Sequence, residues 1–449
     1  MTRRSRHPAP KPADNGRLTA DVVIVGAGSA GCVLAEKLSR ESGRDVVLLE
    51  RGPGRWPGPE DRDLRRLPIG DRAPYAVRHA TDLDGLTAAR GCAVGGSSVV
   101  NGGYFLRWHQ DDFADWPEGW GLEAIDAAYS ELDGSDGTMG VSPVSDDELG
   151  DAGTAFERYW SSREVTRPLG VRWPVIGVNR VLGNRSGMLR RTAAEAYLEP
   201  ALRRPNLRVV ADCEVRRLEV SDGRRVTGVA TDRFAVSAGE VILAAGTLGT
   251  ARLLLGSDLE VLGGAGFLEA GEHRGLVVSY RRTDPAEPGM VLPTVLHTVD
   301  GLEIRCYRDD FAVYIEGVPP IGTMVEVTAM RRSPVKLVAD RGRVRLEFGE
   351  PSPEATASMR AGADRVVEML RSPDFAGIVV PGSVSVAAVP GFSQHAWGTM
   401  PMGVWTDALG AVYGTEGLRI VDGSILPTGG HSGPHATIMM MAVHIASRI

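Results

Sequence analysis

The stretch Gln394–Gly403, QHAWGTMPMG, carries one histidine, His395, followed by an aromatic residue and then Gly398-Thr399. An imidazole titrates near neutral pH, so it can take a proton from a hydroxyl and then stabilise a negative charge beside it. Near the other end, Asp21–Gly31 reads DVVIVGAGSAG, with Gly26, Gly28 and Gly31 in G-x-G-x-x-G spacing and Ser29 between them. In that spacing the first glycine permits a tight turn. The second lets a pyrophosphate approach the backbone, and the third lets helix and strand pack closely. Glu50, nineteen residues past Gly31, ends the apolar run Val46–Leu49 and is followed by Arg51. A carboxylate there can take ribose hydroxyls and would repel a 2′-phosphate, so FAD or NAD is expected and NADP disfavoured. A third stretch, GCAVGGSSVVNGGYF, supplies Gly91, Val94, Gly95, Gly96, Ser97, Asn101, Gly102 and Gly103. Its free N–H groups and small side chains can wrap a flat ring system and phosphates, and the interleaved valines argue that the loop is buried.

The remaining chemistry-bearing residues point less sharply. His431 and His435 lie in TGGHSGPHATIMMMA near the C-terminus; His79, His109, His273, His297 and His444 show no metal-ligand spacing, and no metal is expected. Cys32, Cys92, Cys213 and Cys306 form no C-x-x-C pair. They read as small buried hydrophobes in a reducing cytosol.

Positioning these groups needs two kinds of architecture. Val22–Val25, the helical pattern CVLAEKLSR after Gly31 and Val46–Leu49 read as a βαβ unit, so an α/β, Rossmann-like dinucleotide domain is expected. LEIRCYR, FAVYIEG, TMVEVTAM and GRVRLEFGE alternate as antiparallel strands do. They precede a helix in PSPEATASMRAGADRVVEMLRS, with Ser352 as N-cap before Pro353. We therefore expect a basic, Pro-rich arm over 1–19 and a discontinuous dinucleotide domain over 20–260 plus 400–449. A linker insertion is expected over about 111–190. A second domain of antiparallel sheet and helices, α+β in character, is expected over 261–399. The acidic run ELDGSDGTMGVSPVSDDELGD reads as a solvated loop. The C-terminal ATIMMMAVHIASRI reads as a buried helix.

Composition sets the bounds. The chain has 449 residues, 43% of them hydrophobic, and a net charge of −7. No basic stripe suggests a nucleic-acid groove, and no apolar run is long enough for a transmembrane helix. The arm lacks the apolar core of a secretory signal, and its five basic residues allow peripheral contact with anionic lipid.

These stretches together resemble the GMC (glucose–methanol–choline) flavoprotein oxidoreductases. GCAVGGSSVVNGGYF is similar to the first signature. EVILAAGTLGTARLLLG resembles the second, although its usual tail is replaced by Ser257-Asp258-Leu259, and LRIVDGSILP looks like the C-terminal FAD segment. The resemblance implies FAD, with Val215, Ala245, Gly246, Asp422, Gly423 and Thr437 added to the residues that hold it. Val100 stands where relatives with a covalent flavin carry a histidine, which implies a non-covalent cofactor. H-A-W-G-T resembles the active-site segment and makes His395 the catalytic base in oxidation of an alcohol by hydride transfer to flavin. The family pairs that histidine with a second His or Asn; Gly433 takes the asparagine's place, and His435 is the expected partner, with His431 as the alternative. Glu272-His273 resembles a domain-junction Asp-His. The compact chain is similar to an actinobacterial subgroup associated with mycofactocin. That implies reduced mycofactocin as the alcohol and a carrier or quinone as electron acceptor, in the cytoplasm or at the inner face of the membrane. An oxygen-using oxidase and a non-redox lyase are the competing readings.

Overall fold

The glycine turn is flanked as its sequence predicts. The computed structural model describes residues 17–449. In it β1 (Arg17–Val25) leads into α1 (Ser29–Leu38) and then β2 (Val46–Leu49). The two strands pair in parallel, Val22 beside Val46 through Val25 beside Leu49. All of Val46–Leu49 is buried, as a strand covered on both faces requires. Ala235–Leu243 adds in parallel to the free side of β1, and Leu207–Val210 to that of β2. The first half of Ala235–Leu243 continues into an antiparallel meander with Arg225–Thr231 and Val215–Ser221. Its second half takes Leu418–Ile420 in parallel. The C-terminal helix, His435–Ala446, packs against α1 and is almost wholly buried, as its apolar run predicts.

β1 begins at Arg17, so Arg17–Thr19 are strand rather than arm, and Arg17 bonds Glu219 at 2.7 Å. The rest of the expected arm, with its lipid contact, lies outside the described residues. Among the described residues no helix is long and apolar enough to cross a membrane.

The second sheet is antiparallel. It runs Ser385–Val386, Phe267–Tyr280, Thr323–Asp340, Leu302–Cys306, Thr294–His297 and Gly177–Arg180, with Arg343–Phe348 on the far half of Thr323–Asp340. Leu302, Ile304 and Cys306 join the apolar core under the helix Pro353–Leu370. Ser352 caps that helix as expected, its hydroxyl accepting from Ala355 N at 3.1 Å.

Three expectations change. FAVYIEG forms a helical turn, Phe311–Tyr314, because Asp310 accepts from Ala312 N at 2.9 Å and Tyr314 turns inward. The expected linker insertion supplies the edge strand Gly177–Arg180 and the helix Asp146–Ser161, whose Phe156 and Trp160 enter the core of the second sheet. The acidic run is not a solvated loop. Its first residues end the helix Leu122–Asp133, and Asp133 is fully buried against Arg107 with two contacts of 2.7 Å.

Candidate active site

The glycine turn forms a cradle. Gly26 has φ +101°, and a Cβ there would lie 2.6 Å from the Ala244 carbonyl oxygen, in the segment that runs into Ala245 and Gly246. A Cβ on Gly31 would meet Gly26 O at 1.9 Å, and one on Gly96 would meet the Gly28 Cα at 2.6 Å. Protein atoms therefore require glycine at 26, 31 and 96. Gly28 differs, because the nearest atoms to a Cβ there are 3.9 Å away. That open face lies at the start of α1, which has no side-chain cap and no acid in its first turn. Unpaired N–H groups beside open space suit a pyrophosphate.

Around the cradle, Glu50 is buried, and its oxygens accept from Ala27 N at 2.9 Å and Gly52 N at 2.8 Å. Burial pushes its pKa up. Gly95 N donates to Ala27 O at 2.7 Å, fastening the second glycine loop over the first. Gly91 N donates to Ser97 Oγ at 3.0 Å, and Val94 is buried beneath. Asn101 Oδ1 accepts from Gly103 N at 3.1 Å, past Gly102, which packs on Val291. Val100 is buried with Tyr75, Ala93 and Val99.

Other expected cofactor residues are engaged by protein. Val215 O accepts from Arg252 at 2.7 Å, Thr437 Oγ1 pairs with Tyr129 OH at 2.6 Å, and Arg51 lies beside Cys92. Asp422 accepts from Thr250 Oγ1 at 2.5 Å and from Ser424 N at 2.8 Å, at the start of the helix Gly246–Leu255. Gly423 stands against Thr247. The four cysteines are unpaired.

His395 sits where the two sheets meet the glycine loop, and hydrogen bonds at its own N–H and on either side of it hold its segment. Its N–H points at the Glu272 carboxylate, 2.8 Å from each oxygen. Gly271 and Trp397 exchange backbone bonds of 2.8 and 2.9 Å. Gly398 N and Met400 N donate to Gly423 O and Ser424 O, which ties the segment to the dinucleotide domain. Gln394, at φ +66°, places its amide against Ala89 N at 2.9 Å and Thr87 O at 3.2 Å, on the strand entering the glycine loop. A left-handed glutamine costs about 1–2 kcal/mol, and this clamp offsets it.

The His395 ring, partly accessible, faces His273 with Nδ1 to Nδ1 at 3.2 Å. Its pKa is held well below 6.5 by burial first, then by the Arg305 guanidinium, and by His273 only when that ring is itself charged. Burial likewise takes His273 down to about 3. Glu272, fully buried, is pushed up to about 7. Glu272, His273 and His395 each bring a potential ligand atom within 4.8 Å of the others. Backbone N–H groups occupy the Glu272 carboxylate and the two rings face each other through Nδ1, while His273 Nε2 is buried without a partner.

His435 is placed differently from its expected pairing with His395. Its Nε2 meets Ser29 Oγ at 3.1 Å and its Nδ1 meets Asn101 Nδ2 at 3.2 Å. It thus joins α1, the glycine loop and the C-terminal helix, with its pKa lowered to about 4 by burial. Among the described residues no hydrogen bond or ring contact joins it to His395. The position beside His395 belongs to Gly433, where a Cβ would lie 3.4 Å from Cε1 and Nε2 of the imidazole and 3.5 Å from Tyr104 Cδ1. His431 is bonded to Asp112 at 2.6 Å, and that carboxylate raises its pKa.

Sequence reasoning missed the polar roof. His109 Nε2 meets His297 Nδ1 at 2.7 Å, and His297 Nε2 meets Glu303 at 3.0 Å. Tyr104 OH donates to the same Glu303 oxygen at 2.6 Å. Arg305 bridges Glu303 and Glu326, the latter at 3.2 Å, and Tyr307 OH donates to Glu326 at 2.8 Å. The signal was present in LEIRCYR, where Glu303 and Arg305 alternate with apolar residues. Both are buried because their face of the strand lies over the dinucleotide domain. Glu272-His273 carried a signal too, as adjacent titratable residues in the middle of the strand Phe267–Tyr280.

With this geometry in place, comparisons identify the family. The N-terminal GMC oxidoreductase model matches residues 20–263 and the C-terminal one matches 340–442. A GMC-type oxidoreductase from the thcA 5′ region of Rhodococcus erythropolis is 30% identical, over 94% of this chain and 97% of that protein. An alcohol dehydrogenase [acceptor] of Pseudomonas putida is 27% identical, over 52% of this chain and 47% of its own length. The solved structure of pyridoxine 4-oxidase from "Mesorbium loti" superposes with a TM-score of 0.81, covering 96% of this chain and 99% of that one at 22% identity, a likeness of fold. On these matches the chain belongs to the GMC oxidoreductase family, and the dinucleotide that fits its glycine cradle is FAD.

Proposed function

We propose that this protein oxidises an alcohol to a carbonyl compound, with His395 as the base. The carbinol carbon gives up a hydride and the hydroxyl gives up a proton; FAD, when bound, supplies the acceptor for the hydride. His395 takes the proton at Nε2, the nitrogen on the side of Gly433. Burial disfavours the charged ring and so leaves a nitrogen lone pair free. Glu272 and the Gln394 clamp hold the imidazole in place. His435 links Ser29 and Asn101 across the cofactor cradle. The observation that carries the reading is the His395 imidazole held with Cε1 and Nε2 beside the bare Cα of Gly433, where the two sheets meet the glycine loop. Relatives named for alcohol, choline and pyridoxine support the class. The polar roof of Glu303, Arg305 and Glu326 favours an alcohol with polar substituents over a purely aliphatic one.

The cofactor is proposed to be non-covalent, since Val100 offers no nucleophile. The first candidate substrate is reduced mycofactocin, with a carrier accepting the electrons. The oxidase reading is favoured by the oxidase names among the relatives. Two measurements decide. A panel of alcohols, choline and pyridoxine included, is mixed anaerobically with wild type and with His395→Ala while flavin absorbance is followed. The variant should stay yellow and be reduced at least about 100-fold more slowly; equal rates would remove His395 from the chemistry. Photoreduced protein is then mixed with air. Recolouring within about a second, the turnover range of working enzymes, would establish an oxidase, and recolouring over many minutes a dehydrogenase.

A further inference from the structure

A histidine that acts as base at Nε2 must carry its own proton on Nδ1, and some group must accept it. Position 433, from which the C-terminal segment could offer a second side chain to His395, is glycine. His435 is occupied by Ser29 and Asn101. The atom that meets Nδ1 of His395 comes instead from the second sheet: Nδ1 of His273, at 3.2 Å. We propose that His273 is the positioning residue of this site, accepting the Nδ1 proton of His395 and so fixing the tautomer that leaves Nε2 free. The inference rests on the reading of His395 as base.

Two facing nitrogens share one proton. If His273 held it, His395 would carry its own proton on Nε2 and offer the substrate no lone pair. If His395 holds it, Nε2 is free. Once Nε2 has taken the substrate's proton, the imidazolium still has its acceptor in His273. The cost falls on His273, whose own proton then lies on Nε2, buried and without a partner. The arrangement is built to hold His273 there. The register of Phe267–Tyr280 against Thr323–Asp340 slips between Glu272 and Arg274, at His273 itself. Such irregularities re-aim a side chain beside a site. Glu272 accepts from the backbone N–H groups of both His273 and His395, so one carboxylate sets the height of both rings. Trp397 lies under His273 at 4.4 Å between centroids, and Gly429 leaves room for both rings, since a Cβ there would fall 2.9 Å from His273 Nε2. The charged and titratable groups that bear on the pair are Glu272, Arg90, Arg305, Glu303, Asp112 and His431.

The test reads the tautomer directly and needs no substrate. FAD-loaded protein labelled with 15N at histidine gives long-range 1H–15N patterns that distinguish a protonated Nδ1 from a protonated Nε2. The His395 signals are those lost in His395→Ala. In wild type His395 should be protonated on Nδ1. In His273→Phe, or in His273→Leu if Phe does not load flavin, it should change to the Nε2-protonated form or a mixture. His273→Asn, whose carbonyl oxygen falls near the lost Nδ1, should restore the wild-type pattern. With an alcohol that reduces wild type, the acceptor-free variant should react at least about tenfold more slowly. Its acid limb should move to lower pH, because the protonated ring has lost its acceptor; a purely structural role would slow the rate without moving that limb. His395 protonated on Nε2 in wild type, or unchanged in the acceptor-free variant, overturns the proposal. A fast His395→Ala would instead overturn the reading of His395 as base and leave the tautomer result standing on its own.

Discussion

Asp133 offers the sharpest test of how the site is supported, because its neighbours define the size of the effect. Its carboxylate is wholly buried, and Arg107, 1% exposed, reaches it through Nε and Nη2 at 2.7 Å each. Removing one partner of such a pair strands a buried charge and typically costs about 3–5 kcal/mol. Arg107 would keep Asp126 at 2.6 Å and its stacking on Tyr129 and Trp173, at 4.9 and 4.8 Å. Asp126 is half exposed, so it compensates by about 1 kcal/mol at most. Asp133→Ala should therefore cost about 3 kcal/mol. At roughly 2.1 cal/mol/K per residue over 449 residues, the unfolding entropy is roughly 0.9 kcal/mol/K, and the midpoint should fall by about 3 °C. Circular dichroism melts of the flavin-loaded protein measure this. The double variant Arg107→Met/Asp133→Leu should recover most of the loss, since an apolar pair replaces a buried ion pair at little cost. A midpoint within 1 °C of wild type for the single variant would refute the buried-charge reasoning. The consequence reaches the active site, because Trp108, next to Arg107, donates its indole N–H to Ser432 O at 2.8 Å, one residue from Gly433.

The other predictions concern close approach and protons. A Cβ at Gly429 would lie 2.4 Å from Trp397 Cζ2 and 2.9 Å from His273 Nε2. Gly429→Ala should cost about 1–3 kcal/mol by overpacking and slow flavin reduction; a variant as stable and as fast as wild type would show that nothing is crowded there. Stability should also fall in mild acid. His79, His109, His273, His395, His435 and His444 all have folded pKa values below 6.5, with burial the leading cause. The unfolded chain therefore gains protons below pH 6.5 that the folded one refuses, at up to roughly 1.4 kcal/mol per pH unit for each. Four groups act in the opposite sense. Glu272, raised to about 7, contributes stability that is lost as pH rises from 4.5 toward 7, the buried Glu50 and Asp422 are raised in the same way, and His431 contributes stability that is lost above 6.5. Six groups outweigh four, so melting midpoints should drop between pH 6.5 and 5, and a flat profile would refute the buried, neutral histidines.

The dinucleotide half was legible because its constraints are local. Gly26 and Gly31 are fixed by atoms a few residues away or on the neighbouring strand, and an apolar run such as Val46–Leu49 is hard to place outside a parallel sheet. Asp310 shows where the same logic fails. FAVYIEG alternates well enough for a strand, yet an aspartate just before it supplies a cap, and the chain turns. Asp133 fails for a longer-range reason: its acidic neighbours read as solvated, while its partner Arg107 lies 26 residues back. Charge counted along the chain does not reveal a pair made across it.

The histidines carry the same lesson to the site. His395 could be found because a five-residue pattern surrounds it. Its companion could not be chosen by position along the C-terminal segment, because a helix start moves side chains through large angles over two residues. Gly433 and His435 are neighbours in sequence, yet one borders the imidazole of His395 and the other binds Ser29 and Asn101. The group that does meet His395 lies 122 residues earlier, on a strand of the other sheet, and is brought there by a register slip that no sequence period announces. A bare Cα at 433 and a histidine from the opposite sheet place the neighbour of His395 Nδ1 on the roof rather than in the C-terminal segment, so the geometry of the proposed base depends on how the two sheets dock.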